Sequence, residues 1–170
     1  VDDFRDDLTL FTDQEVFAFP VLESGQTRDT YGNDDQHGER IRILKRLLHH
    51  QEHSAKPCSI VTSIQALLQP VPTRESLAAA TKDLRVGDVL DVEQLQIWLV
   101  ENGFHATSAV ELPGEFSRRG GILDIYAPEW EQPVRLELWD DEIESIRQFD
   151  VRTQRSIESR QLVELTSIQS

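Results

Sequence analysis

Apolar positions in the first seventy residues alternate between helical spacing and short continuous runs. Val1, Phe4, Leu8 and Phe11 recur at helical spacing, and Glu15-Val-Phe-Ala-Phe-Pro20 follows as an apolar run stopped by proline. The pattern predicts a helix and then a buried strand. From Leu22 to His37 the residues are mostly Gly, Asp, Asn, Gln, Thr and Ser around Tyr31, which predicts a long polar loop. Glu39 to His53 reads as an amphipathic helix, with Ile41, Ile43, Leu44, Leu47 and Leu48 broadly on one side. A second apolar run, Cys58-Ser-Ile-Val-Thr, leads into Ser63-Ile-Gln-Ala-Leu-Leu, a strand feeding a helix that ends before Pro70-Val-Pro72. Alternating helix and strand favour a parallel or mixed sheet, an α/β beginning.

The pattern changes after Pro70–Thr73, where two prolines break the helical spacing, and this makes the segment the best boundary candidate. Asp91 to Gly103 predicts one well-punctuated helix: Asp91 can cap its first amides, Gln94 completes a capping box, and Gly103 can take the left-handed stop. Strands are then expected at about 105–110, 121–127, 133–139 and 142–149. Only Asp140-Asp141 joins the last two, which suits a tight hairpin. Four strands and one helix make a small α+β domain. No internal repeat or low-complexity segment is visible.

Composition narrows the function more than the fold. With 170 residues and 38% of them apolar, the chain has room for one medium domain or two small ones. Against 17 basic residues stand 31 acidic ones, a formal net charge of −14, so the summed field repels a phosphate backbone and little direct nucleic-acid binding is expected. The single Cys58 cannot form an intramolecular disulfide, which fits a reducing compartment. No apolar run approaches a membrane span and no secretory pattern opens the chain, so a cytoplasmic location with no membrane partner is expected. A start at Val1 with no methionine anywhere points to a piece of a longer protein.

The chemistry-bearing residues concentrate in one stretch. Strand alternation puts Val134, Leu136 and Leu138 on one face, toward the core, and Arg135, Glu137 and Trp139 on the other. An exposed tryptophan near a guanidinium is the composition enriched at interface hot spots. The plain alternative is that Trp139 covers the sheet edge while Arg135 pairs with Glu137 or Glu144. Arg118-Arg119-Gly120-Gly121 joins two cations to two residues that permit positive φ or close backbone approach, fit for a bulge at a strand start and aiming an arginine outward. It is equally readable as a solvated turn.

Other chemistries find less support. Asp140, Asp141, Glu142 and Glu144 resemble a metal or acid/base cluster only superficially, and a charged hairpin tip is the simpler reading. His49, His50 and His53 near Cys58 match no standard zinc spacing. No serine lies in a Gly-x-Ser-x-Gly context, and none of the 8 glycines builds a phosphate loop. No catalytic, metal or cofactor residue is therefore assigned.

Pro113-Gly-Glu-Phe-Ser-Arg-Arg-Gly-Gly-Ile-Leu-Asp-Ile-Tyr126, with Arg135-Leu-Glu-Leu-Trp-Asp-Asp-Glu-Ile-Glu-Ser-Ile-Arg147, closely resembles the N-terminal region of the bacterial transcription-repair coupling factors, the Mfd family. It is similar, more loosely, to the excision-repair protein UvrB. Asp6-Asp-Leu-Thr-Leu-Phe, Phe19-Pro-Val-Leu-Glu-Ser and Ile60-Val-Thr-Ser-Ile-Gln-Ala-Leu-Leu look like the family's preceding domain, so the likeness covers nearly the whole chain. The resemblance implies a partial, degenerate RecA-like α/β domain (like domain 1a of UvrB) over residues 1–78. It also implies a UvrA-binding module (like domain 2 of UvrB), with a mainly antiparallel sheet, over 79–165, and a return to the first domain at 166–170.

By the same resemblance the module binds UvrA and recruits excision repair to a stalled RNA polymerase, and the contact positions fall on Arg119, Arg135 and Trp139. Trp139 stands where the family usually has phenylalanine. RNA polymerase, double-stranded DNA and ATP are expected to engage other parts of the full-length protein, so no enzyme activity and no cofactor are expected of these residues. A fragment of UvrB itself is the first alternative and a metal-dependent hydrolase using the acidic hairpin around Asp141 the second. A third possibility is that another domain of the full-length protein masks the arginine-bearing face.

Overall fold

The computed structural model describes residues 2–22, 32–52 and 57–167 and divides the chain into two compact units, Val1–Arg74 and Glu75–Ser170. The segment around Tyr31, Val1 and His53 lie outside the described residues. The whole is a mixed α/β structure with mainly antiparallel sheets. No helix among the described residues is long and apolar enough to cross a membrane.

The first unit runs α1 (Asp2–Thr9), β1 (Glu15–Phe19), α2 (Gly32–Glu52), β2 (Cys58–Thr62) and α3 (Ile64–Leu67). β1 and β2 pair in parallel, Glu15 opposite Cys58 through Phe19 opposite Thr62. Ser63 caps α3 through its hydroxyl, which accepts from the Ala66 amide at 3.2 Å. Phe19, Ile43 and Ala66 form the buried cluster, with Phe17 and Leu44 packed on it.

One expectation fails here, because α2 begins at Gly32, inside the stretch predicted as loop up to His37. Polar residues ahead of an apolar-periodic run fit the first turns of a helix as well as a loop. The amphipathic run beyond them propagates the helix backward.

Arg40 on α2 is buried yet bonded only to neutral acceptors among the described residues. Nη1 donates to the Pro20 carbonyl and to Gln69 Oε1, both at 3.0 Å, and Nη2 donates to the Pro70 carbonyl at 3.2 Å. Its guanidinium sits 4.3 Å over the Phe19 ring, and burial lowers its pKa from the usual arginine value. The arginine thus ties the end of β1 to the segment that closes the unit.

The second unit runs α4 (Arg74–Ala79), β3 (Thr81–Arg85), α5 (Val92–Glu101), β4 (His105–Ala106), β5 (Glu115–Arg119), β6 (Ile122–Tyr126), β7 (Val134–Trp139), β8 (Glu142–Phe149), β9 (Ser156–Arg160) and β10 (Leu162–Thr166). Strands β4 to β9 form one sheet in sequence order, antiparallel except for the short parallel β4–β5 pair; β3 and β10 make a separate antiparallel ribbon. Asp91 caps α5 by accepting from the Gln94 amide at 3.0 Å, and Gly103 follows the helix at φ +91°, both as expected. Leu95 and Leu99 of α5 pack with Phe116, Leu123, Leu136 and Ile146 to cover one face of the sheet.

Helix α4 and strands β3, β5, β9 and β10 went unforeseen, and the predicted strand at 105–110 contracts to two residues. β5 shows why. Glu115-Phe-Ser-Arg-Arg carries one apolar side chain, Phe116, and its other buried positions are polar groups satisfied by main-chain partners in the segment that precedes the strand. Glu115 accepts from the amides of Glu111 (2.8 Å) and Leu112 (2.9 Å), and Ser117 donates to the Ser108 carbonyl at 3.1 Å. β9, exposed at every position, has no hydrophobic alternation to detect.

Candidate functional site

Directly paired residues of an antiparallel sheet place their side chains on the same face. On the face opposite α5, the register therefore lays out rows. One row runs Ser117, Asp124, Arg135, Arg147 and Ser159; the next runs Arg119, Ile122, Glu137 and Ser145; beyond it, Trp139 stands opposite Glu142. All three residues singled out from sequence thus share this face.

Asp124 is the centre of the arrangement. Its side chain is only 2% exposed, and Arg135 grips both its oxygens, Nε to Oδ1 at 2.7 Å and Nη2 to Oδ2 at 2.8 Å. Arg119 adds a longer bond, Nη2 to Oδ2 at 3.3 Å. The planar guanidinium fork matches a carboxylate in two parallel bonds, which lysine cannot imitate. The hydrogen bond to Asp124 raises the Arg135 pKa above the usual arginine value, outweighing the opposing effect of desolvation.

Arg135 is held from further sides as well. Nη2 also donates to Gln154 Oε1 at 3.2 Å, and the guanidinium lies 4.6 Å over the Phe149 ring. Its side chain is 20% exposed, whereas that of Arg119 is 56% exposed. The two arginines therefore differ in kind: Arg135 is locked in place, and Arg119 projects from the same anion with most of its donors toward solvent. Pairing of Arg135 with Glu137 or Glu144 is not what forms; Glu137 instead accepts from Arg147 Nη2 at 3.1 Å and Ser145 Oγ at 2.6 Å.

Two glycines make the β5–β6 connection possible. Gly120 has φ +60°, a conformation glycine adopts without steric cost, and a Cβ on Gly121 would meet the Leu138 carbonyl oxygen at 2.8 Å. The expected bulge at a strand start is not there. Arg119 pairs with Ile122 across a two-residue turn, and the register shifts fall at Glu137/Leu138 and Gln148/Phe149. A turn wins because Arg118 and Arg119 already belong to a paired strand, which the polar composition of β5 concealed.

The β7–β8 hairpin closes as expected through Asp140-Asp141, with Asp140 at φ +58° and Trp139 opposite Glu142. Trp139 is 76% exposed at its end. The acidic residues of the tip diverge: Glu144 is the extra residue at the β8 irregularity, and the Asp141 carbonyl accepts from the Leu90 amide at 2.7 Å. Among the described residues no group of three or more His, Cys, Asp or Glu is placed to hold a metal ion. Asp124 was missed from sequence, although a carboxylate inside Ile-Leu-Asp-Ile-Tyr was a usable signal, since an acid in an apolar strand requires a partner.

The second unit is thus a two-layer α+β module with one sheet face buried under a helix and the other presenting ordered arginines beside an exposed tryptophan. A family model described as the UvrB interaction domain matches residues 83–169, and the chain belongs to that family. Over 96% of its length it is 36% identical to the transcription-repair-coupling factor of Bacillus subtilis, of which it covers 13%. It is 35% identical over 98% of its length to those of Staphylococcus aureus and Staphylococcus haemolyticus, covering 14% of each. The chain therefore spans about one seventh of the length of these relatives.

Proposed function

We propose that this chain is the UvrA-docking region of a transcription-repair coupling factor. It is a non-enzymatic, cofactor-free, cytoplasmic segment that recruits UvrA to stalled RNA polymerase in transcription-coupled nucleotide excision repair. Residues 79–165 supply the docking module and residues 1–78 a degenerate part of a RecA-like domain. RNA polymerase, double-stranded DNA and ATP engage other domains of the full-length protein.

The observation that carries this reading is the Asp124 anchor. A buried carboxylate orients Arg135 and Arg119 on an open sheet face with a largely exposed tryptophan nearby. Preorganised arginines lose little side-chain freedom on binding, and exposed aromatic surface gains most from desolvation. Arg119 meets acidic or carbonyl groups of UvrA, Trp139 is the apolar anchor, and Arg135 contributes its remaining donors while holding the anion that positions Arg119.

Isothermal titration calorimetry against UvrA tests the assignment. Arg119→Ala and Trp139→Ala each weaken binding by about 2 kcal/mol or more, roughly thirtyfold, while remaining folded. Wild-type affinity in both variants rejects the proposed face. For Arg135→Lys the expected result is weakened binding with the charge retained, because a single ammonium cannot span both oxygens of Asp124.

A further inference from the structure

Beyond the three residues of the proposed face, the loop between β3 and α5 brings a fourth side chain onto it. Val89 forms an isolated antiparallel bridge with Glu142. The Leu90 amide donates to the Asp141 carbonyl at 2.7 Å and the Ile143 amide to the Asp88 carbonyl at 2.9 Å. These two bonds flank the bridge, so Val89 and Glu142 are a non-hydrogen-bonded pair, the geometry in which opposed side chains approach most closely. The Gly87 amide donates to the Ile143 carbonyl at 2.8 Å and pins the loop again.

Glu142 is also the register partner of Trp139. Paired residues share a face, so Val89, Glu142 and Trp139 form one continuous row on the side that carries Arg119 and Arg135. Val89 is 73% exposed and Trp139 76%. Among the described residues no cation pairs with Glu142. A carboxylate therefore stands between two exposed apolar groups, held there by main-chain bonds rather than by loop chance.

We propose that Val89 and Glu142 complete the docking face as the receptor for a long basic side chain, lysine or arginine, of UvrA. Its methylene stem lies against Val89, its charge meets Glu142, and the Trp139 ring offers a cation–π surface. The proposal rests on the UvrA reading given above. It also explains how such a face is oriented: the arginines at one end seek an acceptor and Glu142 at the other seeks a cation, so a reversed partner meets like charges.

Calorimetry of UvrA binding to Val89→Ser, Val89→Leu, Glu142→Gln, Trp139→Ala and Arg119→Ala, each checked for folding by circular dichroism, tests it. The expected result is at least tenfold weaker binding for Val89→Ser and Glu142→Gln, near-wild-type binding for Val89→Leu, and a shallower salt dependence for Glu142→Gln. Wild-type affinity of Val89→Ser and Glu142→Gln, with Trp139→Ala and Arg119→Ala weakened, overturns the receptor and leaves the docking face standing. If neither Trp139→Ala nor Arg119→Ala weakens binding, the docking reading fails and the receptor fails with it.

Discussion

Asp124→Ala is the sharpest probe of the reasoning, because the arrangement of the open face is traced to one carboxylate. The side chain is 2% exposed and engages two arginines at 2.7, 2.8 and 3.3 Å. Removing one member of a buried ion pair costs about 3–5 kcal/mol, since the other charge is left without compensation. Arg135 keeps 20% exposure and its bond to Gln154, so water reaches part of the stranded guanidinium and the lower end, about 3 kcal/mol, applies. All 3 tryptophans, Trp98, Trp130 and Trp139, lie in the unit Glu75–Ser170, so tryptophan fluorescence in a urea titration follows that unit alone.

With a denaturant slope of about 2 kcal/mol per molar, the expected shift of the midpoint is about 1.5 M urea toward lower stability. Arg135→Ala leaves Asp124 buried with only the longer Arg119 bond and is expected to be similarly costly. The double variant buries no charge, so its cost falls short of the sum of the singles by about 2 kcal/mol. A midpoint shift under about 0.25 M for Asp124→Ala, or strictly additive single costs, refutes the view that this pair organises the face.

Two further predictions concern the turns that frame the site. Gly121→Ala forces a Cβ onto the Leu138 carbonyl oxygen at 2.8 Å, beside the 2.7 Å bond from the Leu138 amide to the Gly121 carbonyl. A loss of about 1–3 kcal/mol is expected by urea unfolding, and unchanged stability contradicts the close approach. Asp150 accepts from the Thr153 amide at 2.7 Å, and that bond first of all holds its carboxyl below the ordinary aspartate range. A depressed folded pKa contributes stability above the unfolded value and loses it as pH falls through the folded one. The stability gap between wild type and Asp150→Asn is therefore constant near neutrality and closes as pH drops below about 3.9; a gap that persists unchanged under acid removes the carboxylate from the explanation.

Much of the fold was legible where burial is periodic. β1, β2, α5 and the β7–β8 hairpin follow from apolar spacing, a capping aspartate and a two-residue connection, all of them local signals. β5 and β9 were not legible, because their places depend on pairing with neighbours and their sequences carry little apolar alternation. At the site, period two alone set Arg135 and Trp139 on one face. Arg119 reaches the same face through the β5–β6 register, which pairs it with Ile122 and which no local pattern announces.

The sequence by itself determined the alternation of β7, the two glycines of the β5–β6 turn, and an acidic chain with Arg135 four residues from Trp139. These are properties of neighbours a few residues apart, and chain stereochemistry reads them directly. Tertiary structure alone decided that Asp124 is the buried anion holding both arginines and that Val89 stands beside Glu142. Those contacts join residues 5, 11 and 53 positions apart, from 124 − 119, 135 − 124 and 142 − 89, across separate strands and a loop. Strand register sets such partnerships, and register comes from packing the whole sheet against α5 rather than from any local pattern.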